Sequence, residues 1–175
     1  MKQKELTIDT NVSSIVYLMK NYAGYNLWAN VTLVNWLRTK PADILEQEVP
    51  SSFNSIKATI AHILDVQQYW LSVIKKAEPK VAERFNGTIE EAIAGLVESS
   101  DELADYVESM TDEALEANNL VISPWFQCDF QNFEYIMQVM NHGTYHRGQI
   151  ITIGRNLGFP DAPMTDYNFY NIHGK

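Results

Sequence analysis

Apolar residues recur along this chain at the three- and four-residue spacing of helices, in four long stretches separated by proline-bearing gaps. The first predicted helix runs from about Val12 to Arg38. Ile15, Leu18, Tyr22, Tyr25, Ala29, Thr32 and Trp36 form its stripe, and Lys40-Pro41 ends it. The second runs from Asn54 or Ser55, either a fair N-cap, to Lys76. Ile56, Ile60, Ile63, Trp70 and Ile74 carry its main stripe. His62 lies at one edge, in line with Val66, Tyr69 and Val73. The third opens on Thr88-Ile-Glu-Glu91, a capping box, with Ile89, Leu96, Leu103, Val107 and Met110 inward and Glu90, Glu98, Asp101 and Asp105 outward. The fourth runs from about Phe133 to Leu157, with Gly158 as its stop and Pro160 beyond.

Residues 111–132 fit no long helix. Thr111 is a candidate start for one short turn, and Leu120-Val-Ile122 for a short extended piece before Ser123-Pro124. Tyr167, Phe169, Tyr170 and Ile172 in the tail predict that it packs back onto the helices. Four helices, each with an apolar face, bury those faces by packing together. The expectation is an all-α, single-domain four-helix bundle over residues 1–175, with a long crossover loop before the last helix. Ile136, Met137, Met140, Thr144 and Ile151 form a second apolar stripe on the fourth helix. Its cover is the tail or a second copy, and a homodimer is expected.

Composition narrows the function classes. Apolar residues make up 46% and charged residues 20%, as in ordinary folded proteins. A net charge of −9 repels phosphate backbones and anionic lipid, so neither nucleic acid nor membrane is an expected partner. Cys128 is the single cysteine, so no internal disulfide forms, and Met1 to Thr10 lack a secretory pattern; the expected location is cytoplasmic. Cys128 reads as a small, half-buried residue of the connecting loop.

The chemistry sits on histidines. His142 and His146 are four residues apart, on one helical face, in a stripe shared with Tyr135, Val139, Ile150 and Ile153. Two imidazoles at this spacing can reach one ion. His62 is the third candidate, the other histidine on a helix beside a buried face. Spacing leaves two readings open: metal ligands, or core histidines bonded to carbonyls and hydroxyls. His173 reads as a surface residue. Asp65, toward the polar side, is not expected to ligate. Tyr22, Tyr25, Asn26 and Gln149 are candidates to support the histidines, and Arg147 is expected to pair with an acid from the tail or a neighbouring helix.

The segment Asn141-His-Gly-Thr-Tyr-His-Arg-Gly-Gln-Ile150 resembles the signature of the DinB-like (damage-inducible) family of four-helix bundles. Tyr25-Asn-Leu-Trp-Ala-Asn30 is similar to that family's first-helix motif. Ser55-Ile-Lys-Ala-Thr-Ile-Ala-His62, followed by Tyr69-Trp70, is similar to its second-helix motif. The resemblance implies a metal held by one histidine of the second helix and two of the fourth, here His62, His142 and His146. Three neutral imidazoles leave a divalent ion its charge and open positions; zinc and nickel are the expected ions. The family includes transferases that use bacillithiol- or mycothiol-type thiols. The resemblance thus implies a small-molecule thiol or substrate as partner, in detoxification or stress response. A non-catalytic metal-binding stress protein and a metal-dependent hydrolase remain the alternatives.

Overall fold

The computed structural model describes residues 13–78, 85–124 and 126–175; the expected helix start at Val12 and the gap-marking Pro79 lie outside them. Four long helices dominate: α1 (Ser14–Leu37), α3 (Ile56–Ile74), α4 (Ile89–Glu108) and α6 (Asn132–Asn156). Between them lie the short α2 (Ala42–Leu45) and α5 (Asp112–Glu116), and a hairpin of β1 (Asn118–Ile122) and β2 (Gln127–Gln131). A final turn, α7 (Tyr167–Phe169), continues as a π-helical turn over Tyr170–Gly174. The helices start where polar side chains can take up free backbone N–H groups. Ser13 accepts from Val16 N, Ser55 from Ala58 N, and Thr88 and Glu91 form the expected reciprocal box. Gly158 follows α6 with φ +91°, a conformation that glycine adopts without a Cβ clash.

Side-chain contacts fix the direction of each helix. Along α1, Lys20, Asn30 and Arg38 meet Glu108, Ser100 and Glu90 of α4, so these two run antiparallel. His62 meets His142 and Trp70 meets Tyr135, so α3 and α6 are antiparallel. Asn26 and Asn30 meet Arg147 while Trp36 lies against Gly154, so α1 and α6 run parallel. The bundle is therefore up-down-down-up, with α1 and α3 each packed between α4 and α6. The 109–131 connection crosses from α4 to α6. It is not a bare loop: α5 and the antiparallel hairpin occupy it, paired from Asn118↔Gln131 to Ile122↔Gln127. That hairpin contains the extended piece expected at Leu120–Ile122.

Two apolar clusters fill the bundle. One gathers Met19, Leu71, Leu103, Val107, Tyr135 and Met140; the other gathers Leu33, Leu37, Ile60, Ile93, Leu96 and Ile150. The inner face of α1 is Val16, Met19, Ala23, Asn26, Asn30, Leu33 and Leu37. It is rotated from the expected stripe, of which Leu18 is 43% exposed. The aromatic flank of that stripe is covered instead by the tail: Tyr25 and Trp28 pack against Tyr170, and Tyr22 against Tyr167. The second stripe on α6 is covered within the chain only in part, and its Thr144 is exposed. Ile136 and Met140 are fully buried, and Met137 and Ile151 pack at the edges of the two clusters. Among the described residues, no helix is long and apolar enough to cross a membrane.

Between the two clusters lies a polar layer to which all four long helices contribute. Asn26 Nδ2 donates to Gln67 Oε1 (2.8 Å), and Gln67 Nε2 to Ser99 and Ser100 Oγ (both 3.1 Å). Asn30 Nδ2 donates to Ser100 Oγ at 2.9 Å. Arg147 closes the network, Nη1 donating to Asn26 Oδ1 at 3.0 Å and Asn30 Oδ1 at 2.9 Å. The acid expected beside Arg147 is not there. Among the described residues no ion pair includes it, and amide and hydroxyl oxygens take the carboxylate's place.

Candidate metal centre

His62 projects from α3, and His142 and His146 from consecutive turns of α6. The antiparallel packing of the two helices brings all three together. His142 Nε2 stands 3.0 Å from His62 Nε2 and 3.0 Å from His146 Nε2. The donor atoms of the trio all lie within 4.8 Å of one another. His146 is buried and the other two are half-buried.

Protons alone satisfy this arrangement poorly. His146 Nδ1 lies 2.7 Å from Gln149 Oε1, an acceptor, so the ring donates there and keeps its lone pair on Nε2. His142 Nε2 carries either one proton or one lone pair but faces two nitrogens. The best neutral arrangement shares a single N–H between two lone pairs, bent away from each. Charging His142 or His62 is no remedy. Burial first, then the neighbouring histidines, push His142 down to about 4; burial and His146 hold His62 below the usual imidazole range. Burial thus holds the His62 and His142 rings toward the neutral form, the form that ligates.

Two of the three donor pairs fit a cation. Metal–nitrogen bonds of about 2.0–2.1 Å place two ligand nitrogens about 2.9 Å apart at a right angle and about 3.3 Å apart at the tetrahedral angle. The two separations that include His142 Nε2, 3.0 Å each, fall in that interval, and the third pair lies within 4.8 Å. Gln149 is the outer partner that fixes the His146 ring, as expected. Replacing Gln149 with leucine is expected to weaken the site's affinity for zinc about 10–100-fold, read by competition with a chromogenic chelator. Unchanged affinity would remove Gln149 from that role.

Other residues fall elsewhere. Tyr22, Tyr25 and Asn26 gather about Arg147 rather than the histidines: Asn26 and Tyr25 bond its guanidinium, and Tyr22 stacks on Tyr25. Asp65 joins no ligand cluster. It lines the cleft beside His62, where burial pushes its carboxyl up. Cys128 lies half-buried in β2, its sulfur 3.4 Å from the Tyr135 hydroxyl, two turns of α6 before His142. His173 is exposed, against Phe169.

One contributor left no motif in the sequence. Phe53, just before α3, stacks on His62 with ring centres 4.0 Å apart and meets His146 edge-on at 5.5 Å. It also borders a cleft of about 560 Å³ lined by residues of 46–58, Ala61, His62, Asp65 and Phe85. The cleft that reaches His62 therefore runs past the α1–α3 connection. The 111–132 segment lines other clefts, beside Tyr69 and Trp70.

The DinB family model matches residues 5–173. Protein DinB of Bacillus subtilis (strain 168) is 30% identical over 165 residues, covering 83% of this chain and 89% of that protein. The crystal structure of a DinB-like protein from Bacillus subtilis matches with a TM-score of 0.60 at 16% identity. That match covers 88% of this chain and 99% of the other, and speaks for the fold alone. A match over nearly the whole length, in sequence and in fold, places the chain in the DinB family.

Proposed function

We propose that His62, His142 and His146 hold one divalent cation, zinc or nickel, and that the site activates a small bacillithiol- or mycothiol-type thiol for transfer onto electrophiles in detoxification. The observation that carries the reading is the convergence of three imidazoles, with two Nε2–Nε2 separations of 3.0 Å that protons satisfy poorly. When bound, such a cation supplies Lewis acidity, lowering the pKa of a thiol at its open position. In the transfer the thiol sulfur forms a bond to the electrophilic carbon, the leaving group departs with its electron pair, and the thiol proton passes to solvent.

The chain's own residues supply the rest. Gln149 holds the His146 ring in one tautomer. Phe53 covers the outer face of His62 and keeps water from that side. Ser51, Ser52 and Asn54 offer neutral hydrogen-bonding groups along the cleft. Glu46 is paired with Lys57 at 3.1 Å, leaving Glu48 and Asp65 as acids that suit a thiol bearing an ammonium group. Cys128, on the hairpin against Tyr135, is not needed as a nucleophile.

The test is a panel of low-molecular-weight thiols with a chromogenic aryl halide, using zinc- or nickel-loaded protein. Thiol-dependent turnover above the uncatalysed rate, lost in His142→Ala and kept in Cys128→Ser, is expected. Metal-loaded protein without such turnover would leave a non-catalytic metal-binding protein, and turnover of esters without thiol would indicate a hydrolase.

A further inference from the structure

On the flank of α6 turned away from the histidines, a second cleft of about 580 Å³ lies between α1, α6 and residues 162–167. Its floor is Arg147, only 1% exposed. The Nη1 edge of this guanidinium is saturated by Asn26 and Asn30. The other edge is not. Nη2 donates to Thr144 Oγ1 at 2.8 Å and only weakly, at 3.5 Å, to the Tyr25 hydroxyl, which is itself committed to Thr165 O. Nε has no partner, alone among the buried side-chain nitrogens and oxygens of the described residues.

A buried guanidinium with neutral partners and no carboxylate is a charge short of its counter-ion. The under-satisfied Nε–Nη2 edge is the one that takes a carboxylate side-on through two parallel hydrogen bonds. Above it the cleft walls are mixed: Tyr22, Ile151, Pro163 and Met164 are apolar, Asn141 and Thr165 are polar, and Arg155 adds positive charge. Exposed Asp166 is the one acid lining this cleft. Apolar wall segments beside a cationic floor are the makings of a site for a small amphipathic anion.

We propose that this cleft binds a small carboxylic acid, its carboxylate drawn to the charge of Arg147 in the floor and Arg155 in the wall, and its apolar body against Tyr22, Ile151 and Met164. The site is separate from the histidine cluster and stands whether or not that cluster holds a metal.

Benzoate is the probe, followed by titration calorimetry on the full chain, with inorganic phosphate as a second arm. Arg147 variants are avoided because the polar layer depends on that residue. Gly148 is exposed, lines the cleft, and a Cβ added there meets nothing within 4 Å, so Gly148→Phe obstructs the cleft without crowding the core. Expected are saturable benzoate binding, its loss in Gly148→Phe at an unchanged melting temperature, about ten-fold weakening in Arg155→Gln, and no change in His142→Ala. No saturation up to about 10 mM benzoate would overturn the proposal. So would binding that survives Gly148→Phe, or binding of phosphate in place of benzoate.

Discussion

His142→Ala is expected to abolish stoichiometric metal binding, with a larger loss than His62→Ala. The reason lies in the unequal geometry of the three donors. His142 Nε2 is the shared vertex, 3.0 Å from each of the others. Without His62, the pair on α6 keeps its 3.0 Å spacing and can still chelate weakly, because both rings stand on one rigid helix. Without His142, the remaining nitrogens belong to different helices and no longer share a close neighbour. The loss of a ligand should exceed the roughly 10–100-fold effect of an outer partner such as Gln149. Two measurements check this. Elemental analysis of gently purified protein gives occupancy. Thermal unfolding with added zinc gives linkage: at one hundred times Kd the wild type should gain about 2.7 kcal/mol, or roughly 5–11 °C for a chain of this size, and His142→Ala should gain nothing. A wild type that neither carries metal nor responds to it would sink the metal reading, and with it the transferase.

Most of the fold was legible because helical periodicity survives wherever the inward face is apolar. On α4, Ile89, Leu96, Leu103, Val107 and Met110 were expected inward and are buried. On α1 the reading failed by a rotation, for a definite reason. The true inner face contains Asn26 and Asn30, which a hydrophobic pattern passes over, while Tyr22, Tyr25 and Trp28 advertise a face that the tail covers. Buried asparagines become tolerable only when partners from other helices arrive, and those lie 41 to 121 residues away. No local rule can see them. The same holds at the site. His142 and His146 announce themselves by their four-residue spacing, whereas His62 needed the motif around it. Phe53 carried no signal at all, since its place over His62 follows from the path of the chain into α3.

The polar layer leads to the second large effect. Arg147→Ala is expected to cost about 3–5 kcal/mol, although the residue makes no ion pair and lies in no apolar cluster. Removing the guanidinium strands Asn26 Oδ1 and Asn30 Oδ1, in side chains 1% and 0% exposed. Each buried acceptor left without a donor costs about 1–3 kcal/mol. The damage spreads, because the same two amides hold Gln67 and Ser100 and so bear on all four long helices. Relief from desolvating a charge offsets part of the loss, since burial already pulls the guanidinium below its ordinary pKa. Arg147→Lys retains the charge but lacks the fork that reaches two oxygens, and it should recover only part of the stability. The space around the guanidinium is tight: a Cβ at Gly143 would come within 3.1 Å of Arg147 Nη1 and 3.2 Å of Asn26 Oδ1, so Gly143→Ala sets pressure on this network against the roughly 1 kcal/mol of helix propensity that alanine gains. Urea unfolding of the three variants orders these costs. A loss below about 1 kcal/mol in Arg147→Ala would mean that water can replace the guanidinium, and the polar layer would then not depend on it.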